Sequence, residues 1–261
     1  MTHRSGGRPG VHRVEHVMGT AVGIDIRDDL PPDDLAAGLE AAFAWLRWVD
    51  DTFSTYKPDS QISRIERGEL ALEDADPKVR EVLQQCEILR AFTGGYFDAR
   101  AAPGGALDPS GLVKGWSVEA ASALLAGAGS RNHCINAGGD VRVRGRPAAG
   151  RRWHVGITHP LHPDAFTAAV ALTDGAVATS GTAERGLHVF NPHTGQPAAE
   201  LASVTIVGPS LTLADAYATA GLAMGVAAPA WLGSLDGYES YVVDAGSHAW
   251  RSPGFDAYRA A

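Results

Sequence analysis

The pattern of apolar and polar positions predicts a mixture of helices and strands. Residues 17–26 alternate as a first strand would. Two proline-led segments, from residue 31 to before residue 52 and over residues 77–92, carry apolar side chains at helical spacing, and glycines close the second. Further helices are predicted at residues 116–125 and after residue 213, and further strands at residues 134–136, 141–144, 153–158, 168–172, 176–179, 203–208 and 240–243.

This order of elements predicts an α+β fold in which one mixed α/β domain occupies residues 11–261, with room for two lobes around a cleft. Residues 1–10 are polar and rich in glycine and proline, so we expect a disordered N-terminal arm. The uncharged stretch at residues 216–235 approaches the length that spans a bilayer. Its alanine, glycine and Pro229 favour a buried helix, a break near residues 227–229 and a short second helix.

Charge and cysteine content narrow the classes of partner. The formal net charge of −8 gives no general attraction to nucleic acid or to an anionic membrane surface. Cys86 and Cys134 do not form a metal-spaced pair, and we expect buried thiols rather than a disulfide. No apolar segment follows the N-terminal arginines, so the sequence predicts a cytoplasmic protein that does not bind membranes or nucleic acid.

A phosphate-binding segment is one candidate for chemistry. Asp108, Gly111 and Lys114 lie in a stretch that precedes the helix predicted at residue 116. Main-chain amides at a helix N-terminus and a lysine suit a phosphate group, although the spacing is not that of a P-loop. An ordinary loop and helix cap explain the same residues.

A cation site is a second candidate. Asp215 and Thr219 are four residues apart on a predicted helix, so both oxygens project from one face. A carboxylate and a hydroxyl placed in this way can hold Mg²⁺. Alternatively, Asp215 interacts with its own helix N-terminus and Thr219 bonds back to its own helix.

Three polar segments complete the set. Residues 52–64 form a loop in which Tyr56 could stack on an aromatic ligand or cover the core edge, and Ser60 is a candidate N-cap. Residues 136–140 suit a hairpin turn or a close approach to a ligand. His188 is either a structural histidine or a base.

Taken in order, these segments resemble the ApbE family, the FAD:protein FMN transferases. The resemblance covers most of the chain, from Met18 to about Gly225. It rests on Met18-Gly19-Thr20, Ser54-Thr55-Tyr56 with Asp59-Ser60 and Ile62-Ser63-Arg64, Gly95-Tyr96-Phe97-Asp98, Asp108 with Gly111 and Lys114-Gly115, Asn136-Ala137-Gly138-Gly139-Asp140, Thr179-Ser180-Gly181 with His188, and Ala214-Asp215-Ala216 with Thr219.

The resemblance implies transfer of FMN from FAD to a Thr or Ser hydroxyl of an acceptor flavoprotein, with release of AMP. It implies Mg²⁺ bound by Asp215, Thr219 and the main-chain oxygen of Gly111. It makes Asp215 and His188 the catalytic residues, His188 as general base. It places FAD against Met18, Tyr56, Tyr96, Phe97, Asp98, Asp108, Lys114 and Val189.

Some features depart from the family pattern. Many members have an acid where this chain has Asn191, and many are exported, whereas the sequence here predicts an intracellular acceptor. Two other functions use the same residues: a Mg²⁺-dependent FAD pyrophosphatase that yields FMN and AMP, and a non-catalytic FAD-binding protein.

Overall fold

The computed structural model describes residues 10–183 and 186–260, so the predicted arm lies outside the described residues except for Gly10. The helices are α1 Pro32–Phe53, α2 Gln61–Glu66, α3 Pro77–Phe92, α4 Ser110–Gly127, α5 Leu211–Met224 and α6 Ala228–Leu232. The strands are β1 Val11–Val17, β2 Thr20–Ile26, β3 His133–Ala137, β4 Asp140–Arg144, β5 Trp153–His159, β6 His162–Leu172, β7 Gly175–Gly181, β8 Phe190–Asn191, β9 Gln196–Pro197, β10 Leu201–Gly208, β11 Glu239–Asp244 and β12 Ala249–Arg251.

One antiparallel sheet organises the fold. Its eight strands follow the order β1-β2-β3-β4-β7-β10-β11-β12, while β5–β6 and β8–β9 form separate pairs. Helices α1, α3, α4 and α5 contribute to a large apolar cluster on one face of the sheet, and the β5–β6 hairpin packs on the other face. The predicted mixed α/β class is therefore confirmed.

Alternation along single strands produces these two clusters. In β7, Ala178 faces the helices and Val177 faces the hairpin, as expected for successive residues of a strand. In β4, Val141 belongs to the hairpin side, whereas Asp140 and Arg142 form ion pairs with α4. The helix-facing side of β4 thus carries charge into the interface between helix and sheet, where the candidate site lies.

Two predicted boundaries were wrong. The strand predicted over residues 17–26 is a hairpin, because Met18 and Gly19 have φ values of 54° and 70° and Val17 pairs with Thr20. Positive φ at both central residues is what a two-residue type I′ turn requires. The loop predicted after Gly111 is the first part of α4, which begins at Ser110. Contact with α5 there outweighs the low helix propensity of glycine.

The C-terminal apolar stretch and the cysteines follow their predictions. Helix α5 ends at Met224, a 3₁₀ turn follows, and α6 begins at Ala228. Leu211–Leu232 is long and apolar enough to cross a membrane, but 72% of its most apolar window is buried inside the fold, as in a core helix. Both cysteines are free thiols, Cys86 buried as predicted and Cys134 only partly buried, and burial raises the pKa of each to about 12.

Candidate functional site

The centre of the site is the close approach of α4 and α5. A β-carbon added at Gly115 would lie 2.5 Å from the carbonyl oxygen of Leu211, so only glycine allows this distance. Asp215 is 4% exposed, and its Oδ2 accepts a hydrogen bond of 2.9 Å from the main-chain N of Gly115. In a regular α-helix that N–H is the donor for the carbonyl of Gly111. Asp215 therefore competes with the Gly111 carbonyl for one donor.

A second contact between the helices lies one turn away. A β-carbon at Gly111 would lie 3.2 Å from Thr219 Oγ1 and 3.3 Å from Phe97 Cε2. Thr219 Oγ1 is 3.2 Å from Ser180 Oγ at the end of β7. The structure therefore brings Gly111 together with Asp215 and Thr219, which lie more than 100 residues further along the chain. Ser180, which was not assigned as a ligand from the sequence, joins them.

These three residues supply oxygen donors of different kinds. Within residues 10–183 and 186–260, no group of three or more His, Cys, Asp and Glu side chains could hold a metal ion. A cation at Asp215 would therefore have one carboxylate, with a hydroxyl and a peptide carbonyl nearby. Hard oxygen donors of this kind, completed by water and substrate phosphate, suit Mg²⁺.

Lys114 occupies the adjacent turn of α4 and pairs with a buried acid. Its Nζ lies 2.7 Å from Oδ2 of Asp140, which is 1% exposed. The angles at this contact fall outside those of a hydrogen bond, so the interaction is an ion pair. Asp140 Oδ1 accepts a hydrogen bond of 3.0 Å from Thr179 N. Sequence reasoning missed this pair, because Asp140 was assigned to the turn before β4.

Two hairpin turns meet at the same end of the sheet. The β3–β4 turn has Gly138 and Gly139 at positive φ, as the sequence predicted. A β-carbon at Gly138 would lie 2.5 Å from Thr20 Oγ1, which places this turn against the β1–β2 turn. Ser117 of α4 lies with its hydroxyl 3.4 Å from the sulfur of Met18. This contact holds Met18 beside α4 at Ser117, which follows Lys114 by three residues.

Tyr96 and Phe97 follow α3 and differ in exposure. Phe97 is 2% exposed and packs near Gly111. Tyr96 is half-buried, and its ring packs edge-on against His193 with 4.5 Å between centroids. His193 Nε2 also lies 3.1 Å from the carbonyl oxygen of Gly94. The β8–β9 turn therefore holds the segment that carries Tyr96.

Two acidic residues complete this segment. Asp98 forms an ion pair of 3.1 Å with Arg90 and accepts a hydrogen bond from Arg100 N. Asp108 is exposed, and its Oδ1 accepts a hydrogen bond of 3.0 Å from Ser110 N at the start of α4. Both carboxylates thus stabilise the loop that leads into α4.

The remaining predicted residues differ in exposure and in their contacts within the fold. Tyr56 is 95% exposed, and Ser60 is an N-cap as predicted, since it accepts a hydrogen bond from Ser63 N. His188 is exposed, and its Nδ1 lies 3.0 Å from the carbonyl oxygen of Gly186. Val189 packs at the edge of the apolar cluster.

Comparison with known sequences identifies the family. The model of the ApbE family matches residues 18–104 and 99–242. A relative from Klebsiella pneumoniae, called FAD:protein FMN transferase, is 26% identical over 70% of this chain and 56% of its own length. A relative of the same name from Vibrio cholerae is 28% identical over 58% of this chain and 51% of its own length. The chain spans about half the length of these two relatives.

Solved structures agree on the fold. The ApbE protein of Thermotoga maritima superimposes with a TM-score of 0.85 at 21% identity, over 97% of this chain and all of the other. The flavin transferase ApbE of Vibrio cholerae gives a TM-score of 0.83 at 21% identity, over 95% of this chain and 99% of its own. With the family match over most of its length, the chain belongs to the ApbE family.

Proposed function

We propose that the protein transfers FMN from FAD to a Thr or Ser hydroxyl of an acceptor protein in a Mg²⁺-dependent reaction that releases AMP. The observation that carries this proposal is the meeting of Gly111, Asp215 and Thr219 between α4 and α5. The names of the relatives supply the substrate class, since both are called FAD:protein FMN transferase.

The residues present fit a Mg²⁺ ion. The N–H of Gly115, which in a regular helix donates to the carbonyl of Gly111, donates to Asp215. This competition favours binding of the Gly111 oxygen to a ligand outside the helix. The missing side chain of Gly111 lets Thr219 approach this turn of α4 closely. When bound, Mg²⁺ would neutralise charge on the pyrophosphate of FAD and on the departing AMP.

The chain's own residues divide the remaining tasks. Lys114 suits the phosphates of FAD, because it carries a positive charge on the turn of α4 that contains Gly111. The ring of Tyr56, which is free of packing in the fold, suits an aromatic ring of the ligand. Met18, Tyr96, Phe97, Asp98, Asp108 and Val189 remain proposed contacts to FAD.

His188 suits the role of general base. A carbonyl oxygen only accepts hydrogen bonds, so the contact of Nδ1 with Gly186 places the ring proton on Nδ1. Nε2 then keeps its lone pair and can take the proton of the acceptor hydroxyl. The acceptor oxygen forms a bond to the phosphorus of the FMN half, and the bond from that phosphorus to the bridging oxygen breaks. That oxygen leaves with AMP.

The test is to incubate the protein with FAD, Mg²⁺ and a candidate acceptor flavoprotein. We expect mass spectrometry of the denatured acceptor to show an added FMN on a Thr or Ser, and one AMP for each FMN attached. FMN and AMP without a labelled acceptor would instead support the FAD pyrophosphatase. Unchanged FAD that remains bound would support a non-catalytic FAD-binding protein.

A further inference from the structure

The face of α5 opposite Asp215 and Thr219 lines two adjoining cavities. Tyr217 is two residues from each of them, a turn of about 200° around an α-helix. One cavity, of about 420 Å³, is walled by Phe92, Tyr217, Trp231, Leu235, Asp236 and Tyr238. The other, of about 240 Å³, shares Phe92 and Tyr217 and is otherwise apolar except for Gln85. We call the two together the α3–α5 groove.

Aromatic rings form the wall of the larger cavity. The ring of Tyr217 packs against Trp231 at 5.7 Å and against Tyr238 at 5.1 Å between centroids, edge-on in both cases. The ring of Phe92 lies 5.7 Å from that of Tyr217, and Phe92 is 56% exposed. A set of aromatic side chains around a cavity attracts cations, because the ring faces carry negative partial charge.

Asp236 supplies the one charge in this wall. It is exposed, and its carboxylate makes no hydrogen bond or ion pair with any residue in the ranges 10–183 and 186–260. Among the described residues, no lysine or arginine lines either cavity. The chain as a whole carries a formal charge of −8. A carboxylate beside aromatic rings, with no cation of the protein next to it, is complementary to a cation from outside.

The smaller cavity limits the kind of ligand. Ile88, Leu89 and Leu213 line it, and Ile88 is 60% exposed. An exposed apolar surface of this kind is typical of a site that binds another molecule. Because the two cavities share Phe92 and Tyr217, one ligand with a cationic group and a neighbouring apolar group can occupy both.

We propose that the α3–α5 groove binds a segment of the acceptor protein that presents an arginine side chain beside an apolar side chain. Arginine fits better than lysine because its planar guanidinium stacks on aromatic faces and pairs with a carboxylate. In an extended segment, side chains two residues apart point the same way and lie about 7 Å apart. This proposal rests on the proposed function, which requires a protein acceptor.

The experiment measures binding by fluorescence anisotropy without FAD or Mg²⁺. The first probe is a labelled, capped Leu-Gly-Arg peptide, and the second replaces arginine with citrulline, which has nearly the same shape and no charge. We expect the arginine peptide to bind the intact protein about fivefold to tenfold more tightly, an advantage that added salt reduces. Equal affinity for the two peptides, or no saturable binding of either, would overturn the proposal.

Matched variants locate the binding. Asp236→Asn should remove the preference for arginine, whereas Asp33→Asn changes the net charge equally on α1, outside both cavities, and should leave the preference intact. Phe92→Ala should weaken the binding of both peptides. Equal effects of Asp236→Asn and Asp33→Asn would show a general charge effect and refute the site. If the protein forms dimers and Phe92→Ala dissociates them, the groove binds a second copy of this chain instead.

The two proposals fail in different ways. If the protein transfers FMN to an acceptor and Asp236→Asn does not change the KM of that acceptor, the proposed function stands and the groove proposal is refuted. Peptide binding without any FMN transfer would support the groove and refute the proposed function. With both correct, Asp236→Asn raises the KM of an arginine-containing acceptor about fivefold and leaves the KM of FAD unchanged.

Discussion

Asp215 of α5 accepts a hydrogen bond from the main-chain N–H of Gly115 of α4, with 2.9 Å between Oδ2 and N. This contact joins two residues that lie 100 positions apart along the chain. It fixes a buried carboxylate beside the helical turn that contains Gly111. The missing side chain at residue 115 is thus a condition for the geometry of the proposed cation site.

We therefore expect Gly115→Ala to destabilise the protein. The new methyl group would lie 2.5 Å from a main-chain oxygen and 2.8 Å from Asp215 Cβ, and neither atom can rotate away. Overpacking of this kind lowers the free energy of unfolding by about 1–3 kcal/mol, more than alanine gains over glycine in a helix. Urea unfolding measures the change. Gly127→Ala, in the same helix with no atom within 4 Å, is the control and should not destabilise. Equal stability of the two variants would contradict the close approach.

Asp215→Asn tests the charge rather than the contact. The amide oxygen can still accept the hydrogen bond from Gly115, so we expect the fold and the melting temperature to be nearly retained. The release of AMP from FAD should fall on the order of a hundredfold or more, because a full charge beside the cation is lost. Kinetics over a range of Mg²⁺ concentrations measure both quantities.

Two substitutions of Thr219 test its hydroxyl in the same kinetic experiment. Thr219→Ser keeps the hydroxyl, and Thr219→Val keeps the shape without it. We expect the half-saturating Mg²⁺ concentration to rise in the valine variant and to stay near the wild-type value in the serine variant. Unchanged Mg²⁺ dependence in both Asp215→Asn and Thr219→Val would remove the cation from this site.

Tyr56→Ala should separate ligand binding from stability. Because Tyr56 is 95% exposed, its removal should change the free energy of unfolding by no more than about 0.5 kcal/mol. Stacking of an aromatic ring on a base contributes about 1–3 kcal/mol, so the affinity for FAD should fall by roughly fivefold to a hundredfold. Quenching of flavin fluorescence measures this affinity. Tyr56→Phe keeps the ring and should bind nearly as the wild type does, and equal affinity of all three proteins would exclude stacking.

The sequence predicted local structure better than it predicted contacts between distant segments. Helix α3 was predicted over residues 77–92 and observed there, because proline, apolar spacing and glycine all agree. The start of α4 was missed, since two glycines disfavour a helix until α5 packs against them. Strand β1 was missed because its partly buried positions are the charged residues Arg13 and Glu15, which pair with α1 at the edge of the sheet.

In the candidate site, too, local spacing was predicted from the sequence and contacts between distant segments were not. The spacing of Asp215 and Thr219 predicted that both face the same way, and they do. The pairing of Lys114 with Asp140 depends on how β4 packs against α4, which spacing along the chain does not encode. The tertiary fold alone determines such contacts.

His133 makes the stability of the fold depend on pH. The side chain is fully buried, with Nε2 at 2.8 Å from Ser122 Oγ and Nδ1 at 3.0 Å from Ser130 Oγ. Burial, followed by the positive charges of Arg144 and Arg142, lowers the pKa of His133 from 6.5 to about 4, while Asp28 and Asp174 oppose the shift. Folding therefore favours the neutral ring.

The sign of the effect follows from proton binding. Between pH 6.5 and about 4 the unfolded chain binds a proton at residue 133 and the folded protein does not, so stability falls as the pH falls. The loss is about 1.4 kcal/mol for each pH unit in this range. Urea unfolding from pH 7 to pH 4 measures it. His133→Gln can keep hydrogen bonds without titrating, so its stability should depend less steeply on pH. Parallel curves for the two proteins would show that other groups cause the acid sensitivity. Asp28 adds to the acid sensitivity near and below pH 4, because hydrogen bonds from Asn132, Ser130 and Arg131 outweigh burial and lower its pKa, so the unfolded chain takes up this proton before the folded protein does.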